Sequence, residues 1–149
     1  MAIEIINNLW LGDYKDGLNT TFLKEKRINV IINATKNLPF VQDLNNIEKI
    51  RVPLIDEVGE KLIESNEKME FYLDKIVEYI YKKLVLGRTV LVHCRKGRQR
   101  SPSLICAFLI KYSGMNLETV INLMKTKKGD IFYPSCNFHI TLSKFKSNK

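Results

Sequence analysis

The sequence predicts an α/β fold, a sheet with helices on both sides. Three observations carry that expectation. Short apolar runs of strand length alternate with amphipathic stretches of helix length through the first hundred residues. The last third holds helical patterns alone. One apolar run, residues 89–92, passes through a short glycine-containing loop directly into an apolar helix. At 149 residues, 45% hydrophobic and 27% charged, the chain reads as one domain, residues 1–149, with a substantial core.

Residues 3–11 hold two short strands around Asn7 and Asn8, ending at Gly12. Residues 20–26 read as a short helix capped by Asn19 or Thr20. The run NVIINA, residues 29–34, is a buried strand. Residues 47–54 are another, with Pro53 near its end, where a missing N–H does least harm. Met69, Leu73, Ile76, Val77, Ile80 and Leu84 recur at helical spacing, so residues 65–86 form an amphipathic helix stopped by Gly87. Pro102 stands in the first turn of the next helix, where proline is tolerated best. Its continuation, residues 104–110, is apolar on nearly every side and therefore central. Leu117, Val120, Ile121 and Met124 make a further stripe between a cap at Asn116 and a stop at Gly129. Phe138, Leu142 and Phe145 make a short last one behind Ser135.

The formal charge of +8 points to anionic partners. Most lysines nonetheless read as solvated surface: Lys125, Lys127, Lys128, Lys144, Lys146 and Lys149 fall at expected helix ends. No run approaches the roughly 18–20 apolar residues of a membrane span. The start, MAIEIINNLW, lacks the pattern of a signal peptide, which predicts an intracellular protein, cytoplasmic or nuclear. Cys94, Cys106 and Cys136 are odd in number, without CxxC or zinc spacing, so neither a disulfide framework nor a metal or other cofactor is expected. Nucleic-acid binding has no support from an aromatic strand platform or zinc motif.

The chemistry gathers in VLVHCRKGRQRSPSLICAFLI, residues 90–110. A loop between a strand end and a helix N-terminus can turn its backbone N–H groups inward as an anion cradle. Gly97 permits the tight backbone this needs. A thiol at Cys94, facing those amides, the helix dipole and Arg100, is stabilised as a thiolate and becomes a nucleophile towards an anion held against it. Phosphate is the natural guest, and Arg100 offers a planar fork for two of its oxygens. Cys106, within the apolar helix, and Cys136 read as structural.

The run His93-Cys94-Arg95-Lys96-Gly97-Arg98-Gln99-Arg100-Ser101 resembles the phosphate loop, H-C-x5-R-S, of the protein tyrosine phosphatase superfamily. INNLWLGDY, residues 6–14, resembles the LYLG strand pair of the dual-specificity phosphatases, with Trp10 for the commoner tyrosine. INVIINAT, residues 28–35, is similar to their I-x-x-V-[IL]-N strand. YPSCNFHITL, residues 133–142, is similar to their P-[SN]-x-x-F-x-x-Q-L segment, with Thr141 where glutamine is usual. The resemblance covers nearly the whole chain and is to the minimal, single-domain type. It implies a central mixed, mostly parallel sheet flanked by helices on both sides. It also implies a two-step hydrolysis: Cys94 attacks phosphorus, a carboxylate protonates the leaving oxygen, and water then cleaves the phosphocysteine. Asp56 occupies the family's acid position, and its neighbour Glu57 is the alternative. Ser101 eases thiolate departure, caps the helix, or does both. His93 braces the loop. Asn33 either supports the loop from behind or forms a turn.

The loop interior departs from the usual C-x-A-G-x-S-R-S: Lys96 replaces the alanine, Gln99 the serine, and Arg95 and Arg98 fill the variable places. Arg95, Lys96, Gly97, Arg98, Gln99 and Arg100 are the expected substrate contacts. The added cations resemble branches that act on phosphoinositides and inositol pyrophosphates, and less closely the branch that acts on RNA 5′-polyphosphate ends. Two enzymatic readings therefore stand. One is hydrolysis of phosphotyrosine and phosphoserine or phosphothreonine in proteins; the other is hydrolysis of polyphosphorylated small molecules or RNA ends. A catalytically silent phosphate-binding module is opposed by intact Cys94, Asp56 and Arg100.

Overall fold

The structure, a computed structural model, describes residues 1–145. Five strands form one mixed sheet in the order β1-β2-β5-β3-β4. They are β1 (Ile3–Ile6), β2 (Leu9–Gly12), β3 (Val30–Asn33), β4 (Glu48–Arg51) and β5 (Val90–His93). The β1–β2 pair is antiparallel, and the other pairs are parallel. The hairpin turns at Asn8, whose φ of 69° is tolerated by asparagine and whose N–H donates to Glu4 Oε2 at 2.9 Å. The mixed, mostly parallel α/β expectation matches this architecture.

Side chains alternate across the sheet with period two. Leu9, Leu11, Val30, Ile32, Val90 and Val92 enter the larger core. That core is closed by α3 (Leu62–Val85), α4 (Arg100–Ser113), α5 (Leu117–Lys127) and α6 (His139–Lys144). Ile31, Leu91 and Trp10 face the opposite side, where Leu23, Ile28, Val41 and Phe22 cover them. Each such aliphatic side chain, fully buried, contributes roughly 1.5–3 kcal/mol. The second face also carries α1 (Tyr14–Leu18) and α2 (Thr20–Glu25).

Helix ends differ from expectation in instructive ways. The 24-residue α3 starts at Leu62, after a 3-10 turn at Gly59–Lys61, so Ser65 lies inside it. The cap of α4 is Gln99, not Ser101, and its far end is Gly114, in the left-handed region at φ 78°. Asn116 caps α5, accepting from Thr119 N at 2.9 Å. That helix ends at Lys127, ahead of the expected stop at Gly129. Ser135 caps nothing: α6 begins after Phe138 without a side-chain cap. Helix α1 was absent from the sequence pattern because five residues with Gly17 inside carry no apolar stripe; it is held by a capping box between Asp13 and Asp16.

Among the lysines expected at exposed helix ends, Lys125, Lys127 and Lys144 are exposed. The Lys128 side chain is only 20% exposed, packed beside Asp130. Lys146 and Lys149 lie outside the described residues. Among the described residues, no helix is long and apolar enough to cross a membrane.

Candidate active site

β5 and α4 are joined by residues 94–99, and the sequence explains the sharp junction. Gly97 adopts φ 69°, and a Cβ there would lie 2.9 Å from the Gly12 carbonyl oxygen and 3.1 Å from Lys128 Nζ. Only glycine fits that conformation and that approach together. The loop's outward groups are engaged: Arg95 O accepts from Tyr14 N at 3.2 Å, and Arg98 O accepts from Phe132 N at 2.7 Å. Its amides are not. Among the described residues, the N–H groups of residues 95–99 donate to no other protein group. The first turn of α4 carries no acidic residue and no side-chain cap, so its N-terminal donors and dipole are also unspent. A concave, anion-accepting surface results.

Cys94 lies at the base of this surface, 2% exposed, with Sγ 3.1 Å from Ser101 Oγ. Ser101 is fully buried in the first turn of α4. Arg100 sends Nη1 to Leu54 O at 3.4 Å, while its buried Nε has no partner among the described residues. A buried donor left unpaired is costly, and such a group asks for a ligand.

His93 is 1% exposed; its Nδ1 lies 3.4 Å from Cys94 O, and Gly17 presses against its other face, where a Cβ would come within 2.6 Å of Nε2. Burial pushes its pKa down from 6.5 to about 4, so the ring is neutral at physiological pH. The unfolded imidazole takes up its proton as pH falls below 6.5, and the folded one only near 4. The contribution of His93 to stability is therefore constant above pH 6.5 and falls by about 3 kcal/mol between 6.5 and 4. Denaturant midpoints measured against pH should show that drop, and His93→Asn should lose much of its slope.

Asn33 does not reach the phosphate loop. Its Nδ2 donates to Leu38 O at 2.8 Å, and its Oδ1 accepts from Thr35 N and Thr35 Oγ1 at 3.2 and 2.6 Å. Of the two roles expected for it, these bonds are those of a turn former for the neighbouring segment. Gln99, expected among the substrate contacts, also spends its side chain elsewhere. Nε2 donates to Ser135 O at 2.8 Å, and Oε1 accepts from Asn137 N at 2.9 Å. Arg98 turns to Asp130, Nε to Oδ2 at 3.2 Å, and Lys128 joins the same carboxylate at 3.6 Å.

The two acidic candidates separate cleanly. Asp56 Oδ1 accepts from Asn137 Nδ2 at 2.8 Å. The Glu57 carboxylate pairs with Lys61 at 3.7 Å, and its backbone N–H and C=O are both held by Ser65 Oγ, at 2.9 and 3.1 Å. Asn137 is fixed in turn by Asn66 Nδ2, which donates to its carbonyl at 3.0 Å. Cys94, Asp56, Arg100, Asn137, Arg95, Lys96 and Lys36 all open on one cleft of about 680 Å³. Asn137, Ser65 and Lys36 were not singled out by sequence; the NF pair ahead of the last apolar stripe was the nearest available signal. Among the described residues, no group of three or more His, Cys, Asp or Glu side chains is placed to hold a metal.

The dual specificity phosphatase catalytic domain, taken as a family, matches residues 9–148. Human dual specificity protein phosphatase 8 is 31% identical over 135 residues, covering 91% of this chain and 20% of its own length. Human dual specificity protein phosphatase 9 is 30% identical over 137 residues, covering 91% of this chain and 34% of its own. The chain thus spans a fifth to a third of the length of these curated relatives. The solved structure of human DUSP28 superposes with a TM-score of 0.80 at 19% identity, covering 97% of this chain and 92% of that one. DUSP15 does so at 0.82 and 22%, covering 97% and 86%. The family match takes in the cradle, both carboxylates and Asn137, and the superpositions give the same fold: the chain belongs to the dual specificity phosphatase catalytic domains of the protein tyrosine phosphatase superfamily.

Proposed function

We propose that the chain is a cysteine-dependent phosphatase that hydrolyses phosphotyrosine and phosphoserine or phosphothreonine in proteins. The observation that carries this is one junction: the Cys94 thiol, 3.1 Å from a buried Ser101 hydroxyl, under unspent loop amides and beside an Arg100 with an unpartnered buried Nε. Phosphate oxygens satisfy those donors, and the in-line fifth position falls to sulfur. Cys94 Sγ, as thiolate, attacks phosphorus; the P–O bond to the substrate breaks, and protonated Asp56 gives its proton to the leaving oxygen. Water then attacks the phosphocysteine, Asp56 carboxylate takes its proton, and Ser101 donates to the departing thiolate as inorganic phosphate forms. Asn137 aims the Asp56 carboxylate, and Gln99 holds the segment that carries Asn137.

Polyphosphorylated small molecules and RNA 5′ ends are the weaker substrates. Arg98, one of the cations that suggested them, is paired with Asp130, and the curated relatives are named as protein phosphatases. The reading includes action as one catalytic unit over residues 1–149. It also places the protein inside the cell, cytoplasmic or nuclear, where three unpaired cysteines stay reduced.

The test is capture of the intermediate. A radiolabelled phosphopeptide, quenched by denaturation during turnover, should leave label on Cys94 alone. Cys106 and Cys136 are poor nucleophiles, since burial pushes the first thiol far up and the second to about 11. Turnover with label on another residue, or with none on protein at any time, overturns the covalent route.

A further inference from the structure

We propose that Gln99 is a positioning residue for the proton donor: its carboxamide ties the phosphate loop to the wall that carries Asn137, so that an anion filling the cradle also fixes the Asp56 carboxyl over the leaving oxygen. This rests on the phosphatase reading and adds what couples phosphate binding to proton transfer within it.

The first support is that Gln99 faces two ways. It stands at the N-cap of α4, and its own N–H belongs to the cradle, donating to no other protein group among the described residues. A side chain in that place commonly caps its helix, which is why serine, threonine, asparagine and aspartate are preferred there. Gln99 makes no such bond. Its buried carboxamide turns to the opposite wall, where Nε2 donates to Ser135 O at 2.8 Å and to Tyr133 O at 3.4 Å, and Oε1 accepts from Asn137 N at 2.9 Å. Donor and acceptor of one planar group are both engaged, which fixes its orientation. A serine in its place would stop short of all these partners.

The second support is what the wall lacks. Residues 133–137 belong to no helix or strand, so bonds to other elements place them. Phe132, just ahead of them, is buried at φ 61°, a conformation a phenylalanine keeps only where its surroundings hold it; its N–H donates to Arg98 O at 2.7 Å. Asn137 is gripped at N by Gln99 and at O by Asn66 Nδ2, the latter at 3.0 Å. Asn66 is itself fixed, since its Oδ1 accepts from Thr141 N at 3.1 Å and from Thr141 Oγ1 at 2.8 Å, tying α3 to α6. One side of Asn137 is thus set by the packed helices, and the other by the phosphate loop. From there Asn137 Nδ2 reaches Asp56 Oδ1 at 2.8 Å. Cradle and acid are linked by the Gln99 side chain and Asn137 alone. An anion that draws on the Gln99 N–H restrains the backbone from which that side chain springs, while Gln99 touches neither the acid nor the leaving group.

The experiment uses Gln99→Met, which keeps the length of the side chain and removes its hydrogen bonds, and Gln99→Ser, which is polar but short. In both, kcat for a phosphoserine peptide should fall by at least about tenfold, kcat for an activated aryl phosphate by no more than about threefold, and KM should hardly move. In an Asp56→Asn background Gln99→Met should add less than about twofold on the peptide, because the donor it aims is gone. Amide exchange needs no turnover. Added tungstate should slow exchange of the Asn137 N–H about threefold in wild type, and by linkage the same factor bounds the loss of tungstate affinity in Gln99→Met. In that variant the Asn137 N–H should exchange fast and ignore tungstate. Equal losses on the two substrates, a full loss retained in the Asp56→Asn background, wild-type rates in Gln99→Ser, or wild-type exchange indifferent to tungstate overturns the proposal. A loss of tungstate affinity as large as the loss of rate makes Gln99 a phosphate contact and overturns it too. A wild type that turns over neither substrate overturns the phosphatase reading and the proton-donor role with it, while the exchange result still shows whether loop and wall are coupled.

Discussion

Replacing Cys94 with serine should abolish phosphatase turnover, by at least about 10⁴-fold, while leaving the protein able to bind phosphate-like anions. The two effects separate because two sets of atoms produce them. Binding comes from the loop amides, the open N-terminus of α4 and Arg100, none of which the substitution touches. Chemistry needs a sulfur that attacks phosphorus as an anion, and a serine hydroxyl is not ionised at neutral pH. Tungstate titrated into Cys94→Ser by calorimetry should therefore still give a measurable dissociation constant. Arg100→Ala should behave differently and lose both functions. Its guanidinium supplies charge-assisted bonds of about 1.5–3 kcal/mol each, roughly 10–100-fold in anion affinity, and more in rate as charge builds on the transferring phosphoryl group. Residual turnover in Cys94→Ser above about one part in a thousand of wild type would contradict a covalent sulfur intermediate.

The strand–loop–helix junction was legible in the sequence because everything that makes it is local. The apolar run of β5, Gly97, Arg100 and Pro102 lie within residues 90–102, and each has a conformational preference that suits its place. The long helix was legible for a similar reason: its buried positions, Met69, Leu73, Ile76, Val77 and Ile80, repeat along one face. What supports Asp56, the proposed acid, was not. Asn137 meets Asp56 across 81 residues, and Thr141 meets Asn66 across 75, through side-chain hydrogen bonds that leave no period in the sequence. Ser65 and Gln99 are polar residues turned inward to hold backbone, which in a sequence look like surface residues or caps. Arg98 read as a substrate contact and Lys128 as solvent-facing charge because their common partner, Asp130, sits beyond α5.

Asp56→Asn should slow hydrolysis of phosphopeptides by about 10²–10⁴-fold, the usual worth of general acid–base catalysis. The size of the loss should depend on the leaving group. An alkyl oxygen from phosphoserine leaves as a poor anion and needs the proton, so its first step should suffer most; an activated aryl phosphate should suffer far less. Glu57→Gln is the discriminating comparison, because the Glu57 carboxylate is turned to Lys61 while its backbone is clamped by Ser65. It should cost no more than a few-fold. Asn137→Ala removes the amide that aims Asp56 without removing the proton donor. Its loss should be intermediate, fall on kcat more than on KM, and keep the leaving-group dependence that Asp56→Asn alters. Should Glu57→Gln carry the large, leaving-group-dependent loss instead, the acid has been misassigned by one residue, and the pairing of Asp56 with Asn137 serves only to shape the cleft.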